Sequence, residues 1–214
     1  MKPSYRFYRG CYRLLYFVFS IFYPWRISGK ENIPEGAALV CANHSSIADP
    51  FLIALALGIE HHTHIIAKAE LYKIPVISQI LKKMGMIRVK RGAMDAVTMK
   101  ATLGYFKSNE RVVIFPEGTR VPEDDAINAK AGAVKIAEHA GVPLVPLYLP
   151  RRKPLFSKAP LVIGEPYYIE KQARKRPQED YARLSEDLMS RIKALEPLAV
   201  KVKKARNIRN AGKI

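Results

Sequence analysis

The sequence predicts an α/β fold: a single domain with a mixed, largely parallel central sheet flanked by helices. Short apolar, β-branched runs alternate along the chain with stretches whose apolar residues recur at helical spacing, the order that builds successive βαβ units. At 214 residues, 49% of them hydrophobic, the chain is long enough for one sizeable core. No internal repeat or low-complexity block interrupts the pattern.

Residues 5–25 open the chain with a helix that Pro24 should break. Its uncharged part, Leu14 to Trp25, is shorter than the ~20 residues a spanning helix needs, and no small-residue cleavage site follows. Tyr5, Tyr8, Tyr12, Tyr16, Tyr23 and Trp25 are amphipathic rings suited to the headgroup level, and Arg6, Arg9 and Arg13 recur at helical spacing. The expectation is an amphipathic helical membrane-binding segment over 1–27, lying at the cytoplasmic face of the cell membrane. A soluble helix packed on the core is the competing reading. Ser28 to Gly36 is turn-forming and marks the boundary of a domain spanning 28–196.

Within it, Ala37–Ala42 reads as a buried strand and the run opened by Pro50 as a helix to Leu57. Further strands are expected at 63–67, 86–91, 112–115, 144–149 and 161–164, and helices at 71–84, 93–106 and 128–140. Gly85 and Gly141 stand where helices should stop. Residues 178–195 form an amphipathic helix with Tyr181, Leu184, Leu188, Ile192 and Leu195 on one face, between Pro177 and Pro197. Residues 197–214 read as a basic tail attracted to anionic lipid.

The net charge of +17 points to an anionic partner. Basic residues are spread along the chain, and the aromatics gather in the first 25 positions instead of alternating with charge on strands. That distribution favours anionic membrane lipids and no nucleic acid. Cys11 and Cys41 supply neither a disulfide framework nor metal spacing, which fits a reducing cytosol. Cys41 lies near His44 but inside an apolar run, the place of a packed residue. His61, His62 and His64 invite a metal reading with His44. No carboxylate or thiolate stands at ligand spacing, so an exposed or strand-edge cluster without metal is expected.

Two stretches carry chemistry. In Asn43-His-Ser-Ser-Ile-Ala-Asp49, His44 sits where a strand gives way to a helix, with four residues between it and Asp49. A neutral imidazole can take a proton from a hydroxyl while a carboxylate fixes its tautomer. Asp49 before Pro50 would serve equally as a helix N-cap, and spacing alone does not choose. The second stretch, Val112 to Arg120, ends its apolar run in the turn Pro116-Glu117-Gly118.

Together these stretches resemble the paired signatures of the glycerolipid acyltransferases, above all the lysophosphatidic acid acyltransferases. Lys68-Ala-Glu-Leu71 with Pro75, Gly85 and Arg91, and Gly141 to Leu147, agree in order and spacing. The resemblance runs from about residue 28 to about 170. It implies an acyl thioester donor, acyl-CoA or acyl carrier protein, a lysophospholipid acceptor, and no other cofactor. By the same resemblance His44 is the general base for the sn-2 hydroxyl of 1-acylglycerol 3-phosphate, oriented by Asp49. No serine nucleophile is then required, and Ser45 and Ser46 satisfy the turn's backbone or bond a substrate.

Arg120 is the first choice to hold the acceptor phosphate, since a guanidinium grips it through two hydrogen bonds. Lys68 and Arg91, at the ends of expected strands, support it, and Thr119 joins the substrate-binding set. Glu117 would orient Arg120 or bond the glycerol, and Gly118 would let the backbone approach the ligand. Backbone N–H groups around Gly118 and after His44 are the expected oxyanion donors. Val121, where the family often has a small hydroxyl residue, and the acidic run Pro122 to Asp125 depart from the pattern. Glycerol 3-phosphate or another lysolipid as acceptor is the alternative within the family. A basic nucleic-acid-binding module, or a membrane-associated protein that has lost activity, are the alternatives outside it.

Overall fold

A computed structural model describes residues 4–60, 62–89, 95–121, 129–172, 174 and 176–202. The apolar runs form seven strands: β1 (Trp25–Ser28), β2 (Ala38–Ala42), β3 (Thr63–Lys68), β4 (Ile87–Val89), β5 (Arg111–Ile114), β6 (Leu144–Tyr148) and β7 (Ala159–Ile163). They make one sheet in the order β1-β7-β6-β2-β5-β3-β4. Every pairing is parallel except β6 with β7. The mixed, largely parallel sheet is therefore as the sequence implies. β2, β5 and β6 are buried at every position, as strands covered on both faces must be.

Alternation along these strands divides the core in two. Leu39, Cys41, Val112, Ile114 and Leu144 face a layer built from α4 (Ala96–Lys107), α5 (Gly132–Ala140) and α6 (Gln178–Ala194). Ala38, Val40, Val113, Val145 and Leu147 face α2 (Asp49–Leu57). Leu188 and Ile192 are buried, and Tyr181, Leu184 and Leu195 pack beside them, so the apolar face expected of α6 is the face that docks.

The first helix, α1 (Tyr5–Phe22), is capped by Ser4, whose side chain accepts the Phe7 N–H, and it lies on α2. Tyr12 donates to the Leu55 carbonyl at 3.0 Å, and Phe19 packs on Phe51. The opposite stripe, Leu14, Phe17, Val18 and Ile21, is exposed, Phe17 to 67%. Its far end is fastened to the loop after β6, the Phe156 N–H donating to the Phe22 carbonyl at 2.7 Å. Among the described residues no helix is long and apolar enough to cross a membrane.

Four boundaries differ from expectation. Trp25–Ser28 joins the sheet beside β7, so a domain start at residue 28 would cut through β1. Ala69–Lys73 is a 3-10 turn, and α3 (Pro75–Lys83) begins at the proline, whose fixed φ suits that first position. α5 begins at Gly132 instead of near 128, which itself lies outside the described residues. Residues 196–202 are helical beyond Pro197, with Ala199 buried and the Val202 carbonyl accepting from Arg26, so the basic tail starts later than 197.

Candidate active site

β2 and β5 are parallel neighbours, so their carboxyl ends deliver Asn43-His44 and Phe115-Pro116-Glu117 side by side, where sites collect in α/β sheets. Asn43 ties in a third strand end: its amide donates to the Leu149 carbonyl at 2.7 Å and accepts the Leu149 N–H at 2.9 Å.

His44 stacks on Phe115, centroids 4.1 Å apart, and points Nδ1 at Asp49 Oδ2, 3.0 Å away. A nitrogen facing a carboxylate carries the proton, which leaves the lone pair on Nε2. Nε2 has no hydrogen-bond partner among the described residues, and the side chain is 16% exposed. Asp49 is fully buried, and the same Oδ2 accepts the N–H groups of Ser45 at 2.7 Å and Ser46 at 2.8 Å. The N-cap reading of Asp49 gives way: the cap of α2 is Ala48, with no side-chain bond. Burial alone would push the Asp49 carboxyl up, but the hydrogen bond from His44 and the Lys153 ammonium, 2.8 Å from Oδ1, hold it below its ordinary value.

Glu117 braces the pair. Its Oε2 accepts the His44 backbone N–H at 2.9 Å, and its Oε1 accepts from Arg151 Nη2 at 2.8 Å. Burial pushes the Glu117 carboxyl up, and those two bonds oppose the rise. Glu117 therefore pairs with Arg151, where the sequence left it either to orient Arg120 or to bond the glycerol. Arg151 Nη1 also donates to the Val121 carbonyl at 2.6 Å, and the Val121 N–H donates to the His44 carbonyl at 2.7 Å. The second motif thus grips the first by its main chain.

That last bond keeps Arg120 one residue from the His44 backbone, with its side chain exposed and no ion pair among the described residues. Gly118 adopts φ +66°, a left-handed conformation that strains any side chain and so favours glycine, while a Cβ there would displace only the flexible end of Lys130. Thr119 is exposed beside it. Lys68 ends β3, across β5 from β2, two strand spacings or about 10 Å to the side. Arg91 and the acidic run 122–125 lie outside the described residues.

Two expectations about donors are corrected. The amides of Ser45 and Ser46 are spent on Asp49, and the Gly118 N–H on the Phe115 carbonyl at 3.0 Å. None of the three is available to an oxyanion. Ser45 Oγ donates to the Arg151 carbonyl and accepts from Lys153, while Ser46 Oγ accepts the Ala48 N–H, so both hydroxyls serve the turn. Cys41 is fully buried, and burial pushes its thiol far up, which removes the thiolate a nucleophile needs.

The model of the acyltransferase family matches residues 25–150, from β1 to the loop that carries Arg151. This chain belongs to the acyltransferase family. It is 35% identical over 196 residues to a 1-acyl-sn-glycerol-3-phosphate acyltransferase of Bacillus subtilis, covering 88% of this chain and 96% of that one. It is 33% identical over 134 residues to a chloroplastic enzyme of the same name from Arabidopsis thaliana, covering 60% of this chain and 36% of the relative. The crystal structure of the LPA acyltransferase PlsC from Thermotoga maritima shares the fold at TM-score 0.62 and 24% identity, over 91% and 77% of the two chains.

In this acyltransferase Arg151 and Lys153 are the site residues that sequence reading passed over. The Arg151 side chain is partly buried and that of Lys153 only 2% exposed, and both face motif carboxylates. Burial draws the Lys153 ammonium down, and Asp49 opposes it. Lys153 also donates to the Pro150 carbonyl. Their signal was present: Arg151-Arg152-Lys153 stands between Pro150 and Pro154, directly after a strand neighbouring β2.

The histidine cluster also differs from expectation. His62 and His64 are buried, and β3 lies inside the sheet between β5 and β4. Glu110 meets them, a carboxylate remote in sequence that only the pairing of β3 with β5 brings near.

Proposed function

We propose that this acyltransferase moves a fatty acyl group from an acyl thioester to the sn-2 hydroxyl of 1-acylglycerol 3-phosphate, giving phosphatidic acid for phospholipid synthesis. One observation carries the reading: an imidazole whose Nδ1 is committed to a buried carboxylate and whose Nε2 has no partner among the described residues, beside an exposed arginine with no ion pair among them. The similarity to the Bacillus subtilis enzyme over nearly the full length of both chains supports the acceptor.

In this mechanism His44 Nε2 takes the proton of the acceptor hydroxyl as its oxygen attacks the thioester carbonyl. Asp49, held ionised by its four contacts, stabilises the imidazolium. The tetrahedral adduct collapses, its C–S bond breaks, and the leaving thiolate receives the proton from His44. Arg120 and Lys68 hold the acceptor phosphate, with Thr119 and the Gly118 turn against the glycerol. Arg91 is kept in that set on its motif alone. The donor is acyl-CoA or acyl carrier protein, both of which present the same thioester.

The site works at a lipid surface. Ile47, Leu71, Ile74, Leu155 and Phe156 are exposed on three loops that follow β2, β3 and β6, all at the end of the sheet that carries His44. Phe156 packs against Phe22 at the end of α1, whose apolar stripe and whose Arg6, Arg9 and Arg13 are also exposed. This favours peripheral binding to anionic lipid at the cytoplasmic face.

Mass spectrometry of products made by purified protein tests the reading, with lysophosphatidate, glycerol 3-phosphate or other lysolipids offered against both donor types. Phosphatidic acid from lysophosphatidate is the expected product. Faster turnover of glycerol 3-phosphate would reassign the acceptor.

A further inference from the structure

The amino-terminal end of the sheet, opposite His44, holds a second cluster that the acyl transfer does not use. The register Thr63↔Arg111 sets His62 and Glu110 at one level on neighbouring strands, and His64 falls on the same face two residues later. One donor atom from each of His62, His64 and Glu110 lies within 4.8 Å of the others.

His64 is buried and stacked on Tyr105 at 3.5 Å. Its Nδ1 lies 2.8 Å from the Gly85 carbonyl and must donate there, so Nε2 keeps its lone pair in the neutral ring. Yet Nε2 lies 2.7 Å from Glu110 Oε2, also a lone-pair atom. Two acceptors at that distance need a proton or a cation between them.

His62 is only 6% exposed, yet it makes no hydrogen bond among the described residues. Its Nε2 has no partner, and its Nδ1 is 3.9 Å from Glu110 Oε1, too far for one. An imidazole so buried and idle is costly unless something binds it.

We propose that His62, His64 and Glu110 form a binding site for a divalent transition metal of the zinc class. Two imidazoles and a carboxylate suit that class, and a backbone carbonyl on the far nitrogen is the usual outer support of a metal-bound histidine. Tetrahedral donors at zinc stand ~3.3 Å apart, so small side-chain shifts suffice: His64 and Glu110 separate slightly and His62 closes in. Glu110, 28% exposed, gives the ion its way in. Tyr5 and Tyr8 of α1 pack edge-on against His62, at 5.0 and 4.2 Å, so a bound metal fixes the ring on which the first helix rests. The role is structural.

The test uses the full chain, stripped with chelator, and titrated with zinc and separately with cobalt(II). Expected are one retained zinc per chain, visible cobalt d–d absorption, and a Tm that rises with zinc concentration. His62→Gln and Glu110→Gln should each weaken zinc binding at least about 100-fold, the upper end for partners one shell further out. His44→Ala should leave it unchanged. Absence of stoichiometric binding overturns the proposal, as does binding that survives His62→Gln and Glu110→Gln. Neither result bears on the acyl transfer, which is read separately from its product.

Discussion

Glu117 and His44 are joined by one hydrogen bond, the carboxylate accepting the histidine's backbone N–H at 2.9 Å. The acid of the second motif therefore acts on the first through its main chain, while its other oxygen neutralises Arg151. Glu117→Ala removes both the ion-pair partner of Arg151 and the acceptor of the His44 N–H, and should cost roughly 1–3 kcal/mol. Glu117→Gln, which still accepts the amide, should cost less. Denaturant midpoints check the order, and equal losses would remove Glu117 from the brace.

His44→Ala should lower turnover on the order of 10²–10⁴-fold without unfolding the protein, because the ring is partly exposed and only one nitrogen is bonded. Asp49→Asn should reduce turnover comparably, since it no longer fixes the tautomer. Steady-state rates beside far-UV circular dichroism are the measurement.

Arg120→Ala should raise KM for the phosphate-bearing acceptor at least tenfold while sparing the slow hydrolysis of the thioester. The reason is its exposed guanidinium, without an ion pair among the described residues, next to Val121, whose amide bonds His44. Equal loss of both activities would move the phosphate elsewhere in the site.

Acid should expose the Asp49 network. Its carboxyl titrates lower in the folded protein than the ~3.9 of an unfolded chain, so it stabilises the fold only when ionised. That contribution is complete above about pH 4 and disappears as pH falls through the folded value. Urea midpoints at pH 6 and pH 3 should therefore differ more in the native protein than in Asp49→Asn.

Leu14, Phe17 and Ile21 should govern attachment to lipid, because they form an exposed apolar stripe that packs on nothing among the described residues. Replacing all three with Ser should release the protein from anionic vesicles in co-sedimentation, with Tm nearly unchanged. A large fall in Tm would mean the stripe stabilises the fold instead.

Much of this could be read before any coordinates. The apolar runs around Val40, Val113 and Val145 announce strands because both their faces are covered, and His44 and Glu117 follow from where those strands end. β1 was missed because Trp25–Ser28 is half-buried and short, and its place depends on β7, over 130 residues away. Arg151 and Lys153 were missed for a related reason. A run of cations reads as solvated surface until the fold turns it inward onto Glu117 and Asp49. Glu110 joined the histidines by strand register alone.

The bond from Phe156 to Phe22 ties the segment bearing Arg151 and Lys153 to the last turn of the first helix. On the proposed reading of that helix as the lipid-binding element, its depth among the headgroups sets the height of the His44 imidazole above the bilayer. Under that proposal an acceptor keeps its tail in the leaflet and offers only its glycerol, and the protein acts as a gauge resting on the surface from which it draws its substrate.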